Sequence, residues 1–172
     1  MTSRPMGKIE LVDYDPNWPK LYRHQEARIR ASLGARALLI EHVGSTSVPG
    51  LVAKPVIDIV LGVIDSADEG SYAPGLEDEG YRLRIREPGW FEHRMFKGLA
   101  PEVNLHVFSL GCSEIERILC FRDRLRANEA DRELYARTKL ELARRGWAST
   151  QDYADAKSDV VAAIIERAEV KR

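Results

Sequence analysis

Residues 37–61 constrain the fold of this chain more than any other stretch. A short apolar segment, 37–40, runs into a turn rich in glycine and hydroxyl side chains, 44–50. A second apolar segment, 55–61, follows the turn and carries a single acid, Asp58. Short apolar runs bounded by turn residues are typical of buried strands. We therefore predict two strands joined by a tight turn, with Asp58 on the second strand.

The turn has the composition of an anion-binding site. Gly44 leaves backbone N–H groups accessible, and Ser45, Thr46 and Ser47 add three hydroxyl groups, a combination that suits a phosphate chain. The alternative is a turn in which these hydroxyls only cap backbone groups. The spacing around Gly50 fits neither a Walker loop nor the Gly-x-Ser-x-Gly elbow of hydrolases.

Asp58 stands alone among Val, Ile and Leu residues. A carboxylate buried in such a setting without a partner costs roughly several kcal/mol. A divalent cation, Mg²⁺ or Mn²⁺, is a good partner for it. The alternative is a structural role, in which Asp58 caps a neighbouring loop.

The remaining periodicity predicts an α+β fold in a single domain, 1–172. The sheet-containing core occupies 1–110, and the helical part occupies 111–172. A capping box of Ser66 and Glu69 is predicted to begin a helix that ends near Gly80. The other predicted elements are a helix from 15–16 to Gly34, strands at 36–42, 55–63, 81–86, 90–97 and 103–109, and helices at 114–127, 129–145 and 152–170. The predicted architecture is a mixed β-sheet with flanking helices and a C-terminal three-helix bundle.

Composition narrows the class of protein. The chain is 44% hydrophobic and 31% charged with a formal net charge of -1, so a partnership with long nucleic acid is not expected. Its two cysteines, Cys112 and Cys120, are too few for a disulfide framework. No apolar run has the length of a membrane span, and the N-terminus lacks the core of a signal peptide. We expect a cytoplasmic protein with no membrane partner.

Several motifs resemble the GrpB family. The likeness is carried by HVGSTSVPGL at 42–51, KPVIDI at 54–59, WFEHRMF at 90–96, NLHVF at 104–108 and YADAK at 153–157, and it begins at 9–19. That family is placed in the nucleotidyltransferase superfamily of polymerase-beta-like folds. The resemblance therefore implies a nucleotidyltransferase-like sheet and a nucleoside triphosphate as ligand.

The resemblance assigns roles to the glycine-hydroxyl turn and to the acid that follows it. Gly44 and Ser45 correspond to the Gly-Ser pair that holds the phosphates of the nucleotide, and Asp58 corresponds to a metal-binding acid. The superfamily has a second acid two residues later, where this chain has Val60. One metal ion, or a histidine-assisted site, is therefore the stronger interpretation. Glu41 is a candidate replacement for the missing acid, although it can equally pair with an arginine.

His106 matches the third metal-binding position of the superfamily. Alternation along its strand places it with Asn104 and Phe108, opposite the core-facing Val103 and Leu105. A histidine there can bind metal or act as a base toward a hydroxyl nucleophile. The alternative is a purely structural histidine.

Three basic residues complete the predicted site. Lys54 directly precedes the strand of Asp58, while Arg94 and Lys157 lie in the family motifs. Arginine binds phosphate bidentately and lysine acts as a point charge. All three are expected to neutralise charge on the triphosphate.

Together these predictions describe a metal-dependent nucleotidyltransferase. It would transfer a nucleoside monophosphate to an acceptor that is a small molecule, an RNA or a protein. Two rivals are a binding module for nucleotides or phosphate ligands that has lost catalysis, and a metal-dependent phosphohydrolase. The sequence is compatible with a homodimer.

Overall fold

A mixed sheet of five strands organises the fold of the computed structural model, which describes residues 9–147 and 149–170. The strands are β1 Leu39–Val43, β2 Ile57–Val63, β3 Arg82–Glu87, β4 His93–Leu99 and β5 Glu102–Ser109. Their spatial order is β1-β2-β5-β4-β3, and β2 and β5 run parallel while the other neighbouring pairs are antiparallel. The predicted mixed sheet of an α+β fold is confirmed.

Helices flank this sheet. They are α1 Trp18–Leu33, α2 Ala73–Asp78, α3 Ser113–Ala127, α4 Glu129–Ala143, α5 Thr150–Ala156 and α6 Ser158–Val170. None of the helices in the described ranges is long and apolar enough to cross a bilayer.

The first helix begins slightly later than predicted. Asn17 is its N-cap residue, and Pro19 occupies the first turn, where a missing N–H costs nothing. Asp15 stays outside the helix and accepts a hydrogen bond from the Asn17 amide at 2.8 Å. The helix ends at Gly34, which has a φ of +55°, as the sequence predicts.

The two faces of the sheet have different environments. On one face, Ile57, Ile59 and Leu105 are fully buried in the main core with residues of α1 and α2. Asp58 and His106 lie on the opposite face, because side chains alternate along each strand. The register pairs Asp58 with Asn104, and Val60 with His106.

The C-terminal helices differ from the predicted three-helix bundle. Helix α3 packs on α4 and α6, and α4 also packs on α6. The third predicted helix, however, is two helices, because α5 ends before Lys157 and α6 begins after it. Val48 and Leu51 share a core with Leu125, Tyr135 and Ile164, so the helical part packs directly on the glycine-hydroxyl turn.

The predicted capping box of Ser66 and Glu69 is not formed. Helix α2 begins only at Ala73. The Ser66 hydroxyl instead donates to the Glu92 carbonyl at 2.8 Å, and the Glu69 carboxylate accepts hydrogen bonds from two arginines. Tertiary contacts of these side chains therefore replaced the local cap.

Candidate functional site

A cavity of about 690 Å³ opens where the polar face of the sheet meets the C-terminal helices. The turn after β1, strands β2, β4 and β5, and helices α4 and α5 all contribute to its lining, as does Lys157 between α5 and α6. The predicted residues that line it are Ser45, Thr46, Lys54, Asp58, His106 and Lys157.

Gly44 lies directly against Asp58. Its φ is +71°, and a Cβ atom added to it would lie 2.4 Å from Asp58 Oδ2. Real Cβ contacts of that length do not occur, so the turn needs glycine here for its backbone conformation and for the room that the carboxylate occupies. The sequence predicted Gly44 as a site residue because of phosphate approach, whereas the structure gives it a contact with the acid.

Gly44→Ala is expected to destabilise the fold by roughly 2–4 kcal/mol, because left-handed strain and a clash with Asp58 add together. Gly50→Ala is the matched control. Gly50 has a φ of +81° but nothing within 4 Å of the added Cβ, so only the strain of about 1 kcal/mol remains. Urea denaturation of both variants measures the difference. Equal losses of stability would contradict the close packing of Gly44 on Asp58.

The three hydroxyls of the turn have different partners. Ser45 Oγ accepts a hydrogen bond from Lys139 Nζ at 2.7 Å within the cavity. Thr46 Oγ1 donates to the Val56 carbonyl at 3.0 Å, and Ser47 Oγ donates to the Gly44 carbonyl at 2.5 Å. The backbone-capping alternative is therefore correct for Thr46 and Ser47. The Ser47 side chain is buried outside the cavity lining, so the structure does not bring it into the predicted site.

Glu41 and His42 also lie outside the cavity lining. Glu41 Oε2 accepts a hydrogen bond from Arg122 Nη1 at 2.7 Å, which is the arginine pairing that the sequence offered as the alternative to metal binding. The His42 ring stacks on Tyr22 of α1, with ring centroids 4.8 Å apart. Burial lowers the pKa of His42 to about 4, so this ring is neutral at physiological pH.

A group of lysines converges on the cavity. Lys54, Lys97, Lys139 and Lys157 all line it. Lys139 is 2% exposed, and it donates hydrogen bonds to Ser45 Oγ and to the Val52 carbonyl. Burial, followed by the charge of Lys157, lowers the pKa of Lys139 to about 7. Burial likewise lowers the pKa of Lys157 to about 8, although the carboxylate of Asp58 opposes the shift. Burial thus disfavours the charged form of both ammonium groups.

Sequence reasoning missed Lys139, although a signal for it exists. In α4 the buried residues Tyr135, Lys139 and Leu142 recur at spacings of four and three, the spacing of one helix face. A lysine at that spacing is a basic residue on the packed face, where an ammonium group is rarely found unless it is paired.

His106 and Asp58 meet as predicted. His106 Nε2 lies 3.6 Å from Asp58 Oδ1, and both side chains keep slightly more than a quarter of their surface exposed. The other ring nitrogen, Nδ1, lies 3.0 Å from His93 Nε2. His93 Nδ1 in turn lies 2.8 Å from Glu87 Oε1. In the sequence His93 is only a member of the motif at 90–96, and its contact with His106 was not predicted.

Arg94 is not in the cavity, and its predicted role toward phosphate is wrong. It pairs with Val107 across β4 and β5, which places its side chain on the face opposite His106. There it is 4% exposed, and it donates to the Glu69 carboxylate at 2.7 Å and to the Glu92 carboxylate at 3.2 Å. Because side chains alternate along β4, the Arg94 side chain lies on the face of the sheet away from the cavity.

The side chain of Val60 lies on the same sheet face as Asp58, but it is excluded from solvent. It is fully buried in a cluster with Val43, Phe108 and Ile115 of α3. Helix α3 therefore covers the position at which the resemblance to nucleotidyltransferases implied a second acid.

Asp58 and His106 can offer two donors to a cation. An oxygen and a nitrogen 3.6 Å apart can both reach one ion at bonds of about 2.1 Å. Among residues 9–147 and 149–170, no group of three or more His, Cys, Asp or Glu side chains is placed to hold a metal ion. A cation here would complete its coordination with ligand oxygens and water, as Mg²⁺ commonly does.

Comparison with known proteins identifies relatives over nearly the whole chain. The family described as GrpB protein matches residues 8–167. The chain belongs to the GrpB family. A UPF0157 protein of Halalkalibacterium halodurans is 62% identical over 94% of this chain and 83% of its own length. A UPF0157 protein of Streptomyces coelicolor is 45% identical over 96% of this chain and 87% of its own length.

Structural comparison agrees with this family. The crystal structure of the conserved protein GrpB from Enterococcus faecalis matches with a TM-score of 0.81 and 29% identity, covering 94% of this chain and 98% of that one. A protein named dephospho-CoA kinase, from Mycobacterium bovis, is 31% identical over 86% of this chain, but the match takes up only 42% of the kinase. The GrpB-like part is thus less than half of that longer protein.

Proposed function

We propose that this GrpB-family protein binds a nucleoside triphosphate with one divalent cation, Mg²⁺ or Mn²⁺, and transfers the nucleoside monophosphate to an acceptor. Its site is the cavity between the sheet and helices α4 and α5. The acceptor would be a small molecule, an RNA or a protein. The observation that carries the proposal is that three buried or half-buried lysines line one cavity together with Asp58 and Ser45.

The lysines favour a ligand with several negative charges. Lys54, Lys139 and Lys157 line one cavity, and burial, followed by repulsion from a neighbouring lysine, lowers the pKa of Lys139 and of Lys157. A triphosphate would add negative charge beside both ammonium groups and raise both pKa values. Binding should therefore take up protons, and affinity should increase as the pH falls from about 9 toward 7.

Asp58 and His106 fit the cation. Their oxygen and nitrogen donors are close enough to share one ion, and the ligand's phosphate oxygens would complete its shell. When bound, the cation would neutralise charge that develops on the transferred phosphoryl group. Lys54 and Lys157 would add to that neutralisation, and Ser45 would orient a phosphate oxygen.

A second candidate is a module that binds the nucleotide without chemistry. The burial of Val60 favours it, because helix α3 leaves no room for a second acid and for the two-metal arrangement. A single-cation transferase and a binding module differ only in whether product forms.

The test is a ligand panel with product analysis. Each labelled nucleoside triphosphate is incubated with the protein and Mg²⁺ or Mn²⁺, and also with dephospho-CoA as a candidate acceptor, given the name of the mycobacterial relative. Pyrophosphate release supports the transferase, phosphate release supports a phosphohydrolase, and saturable binding alone supports the module.

Lys157→Met should weaken triphosphate binding roughly tenfold or more, since a charge-assisted contact is lost. Lys20→Met is the matched control, because Lys20 is exposed on α1, away from the cavity lining. Calorimetric titration of both variants gives the comparison. Absence of any triphosphate binding to the unmodified protein would refute the proposed function.

A further inference from the structure

A line of four polar side chains crosses the sheet beside the cavity. Asp58 lies on β2, His106 on β5, His93 on β4 and Glu87 on β3, so each member stands on the next strand in spatial order. The contacts are 3.6 Å, 3.0 Å and 2.8 Å in that sequence. Two carboxylates therefore end a line whose middle members are histidines.

The hydrogen bonds determine where the ring protons lie. A carboxylate only accepts, so His93 Nδ1 carries the proton that binds Glu87. His93 is 4% exposed and packs against Trp90 and Phe108, and these apolar surroundings favour the neutral ring over a desolvated cation. Its Nε2 is then an acceptor, and the proton in the 3.0 Å contact belongs to His106 Nδ1.

This assignment leaves His106 Nε2 without a proton. That nitrogen points at Asp58 Oδ1, which is also an acceptor, and the distance of 3.6 Å is too long for a hydrogen bond. A histidine with Asp58 as its only neighbour would place its proton on Nε2, toward the carboxylate. The contact with His93 favours the opposite tautomer and leaves two lone pairs facing a common point.

The backbone near His93 is held in an unusual conformation. Phe91 and Glu92 both have positive φ angles, +55° and +50°, a conformation that costs roughly 1 kcal/mol or more per residue outside glycine. The Ser66 hydroxyl binds the Glu92 carbonyl, and the His93 amide binds the Trp90 carbonyl at 3.0 Å. These contacts fix the start of β4, from which the His93 ring reaches His106.

We propose that His93 and Glu87 are positioning residues that hold His106 as its Nδ1–H tautomer and keep its Nε2 available to a cation shared with Asp58. The consequence for cation binding rests on the proposed function, whereas the tautomer is a property of the free protein. In many metal sites, a hydrogen bond from the second ring nitrogen likewise orients the histidine that binds the metal. It also favours a cation that accepts nitrogen ligands, such as Mn²⁺ over Mg²⁺.

The tautomers can be measured directly by long-range ¹H–¹⁵N correlation NMR, because the chain has only four histidines. We expect His106 to carry its proton on Nδ1 in the free protein. His93→Phe keeps a ring against Phe108 but removes the acceptor, so His106 should change to the Nε2–H form. Mn²⁺ affinity, measured by calorimetry, should fall roughly tenfold or more.

Three further variants complete the experiment. His93→Gln retains an acceptor for His106 and a donor for Glu87, so it should restore the Nδ1–H form and most of the Mn²⁺ affinity. His24→Phe, at an exposed position of α1, should change neither readout. Because Glu87 is exposed, Glu87→Met tests the line without disturbing the core, and it should shift the His106 tautomer partly.

The possible results separate the two proposals. An Nε2–H form of His106 in the unmodified protein would overturn the inference, as would a tautomer that His93→Phe leaves unchanged. An Nδ1–H form that depends on His93, combined with absence of Mn²⁺ and triphosphate binding, would confirm the tautomer control and refute the proposed function.

Discussion

Val60→Asp is expected to destabilise the protein by roughly 3–5 kcal/mol, enough to unfold much of a marginally stable domain. Val60 is fully buried among Val43, Phe108 and Ile115, and a carboxylate there would have apolar neighbours. Adding the second acid that the resemblance to nucleotidyltransferases implies would therefore disrupt the core rather than create a two-metal site. Urea denaturation with and without Mg²⁺ measures the effect.

The matched control is Val60→Thr, which has nearly the same shape and adds only a hydroxyl. It should cost about 1–3 kcal/mol, the range for burying one polar group without a good partner. If Mg²⁺ instead rescued the stability of Val60→Asp, position 60 would be accessible to a cation, and the packing of α3 over it would be disproved.

Lys139→Met is expected to weaken triphosphate binding roughly 10- to 100-fold, because it removes a charged donor from the cavity. It should at the same time change how stability depends on pH. The folded-state pKa of Lys139, about 7, lies below the value near 10.4 that lysine has in unfolded chains. Between these two values the unfolded state binds more protons, so the contribution of Lys139 to stability rises with pH.

The variant lacks this titration. Its stability relative to the unmodified protein should therefore be greatest at pH 7 and below, and should decline by roughly 2–3 kcal/mol between pH 6 and pH 9. Lys157 and Asp58 face the same cavity and remain in both proteins, so only the change in their interaction with position 139 adds to the difference. Lys20→Met should give parallel curves. Parallel curves for Lys139→Met as well would mean that Lys139 titrates normally.

Some of the fold and site follows from local sequence alone. Alternation along β5 correctly separates His106 and Asn104 from the core-facing Val103 and Leu105. Gly34 ends α1 as predicted, because its positive φ suits glycine. The meeting of Asp58 with His106 was predicted from strand parity together with the family resemblance, and the register of β2 with β5 bears it out.

Other features depend on contacts between residues that are distant in sequence. The sequence motif predicts that Arg94 binds phosphate. The pairing of Arg94 with Val107 instead places its side chain on the sheet face opposite His106, because a shift of one residue along a strand moves every side chain to the other face. Ser66 and Glu69 match a capping box, but their side chains bind Glu92 and Arg94 instead. A local pattern cannot reveal such competition from other strands.

The sequence by itself determined the strands, the glycine turn and the acid that follows it, because each depends on residues that are neighbours in the chain. Only the tertiary structure decided which charges share the cavity. Lys139 reaches Ser45 across 94 positions of sequence, and the line from Asp58 to Glu87 exists because four strands are ordered side by side. Packing also leaves no room for a second acid at position 60. Val43, Phe108 and Ile115, which are distant from Val60 in the sequence, enclose its side chain.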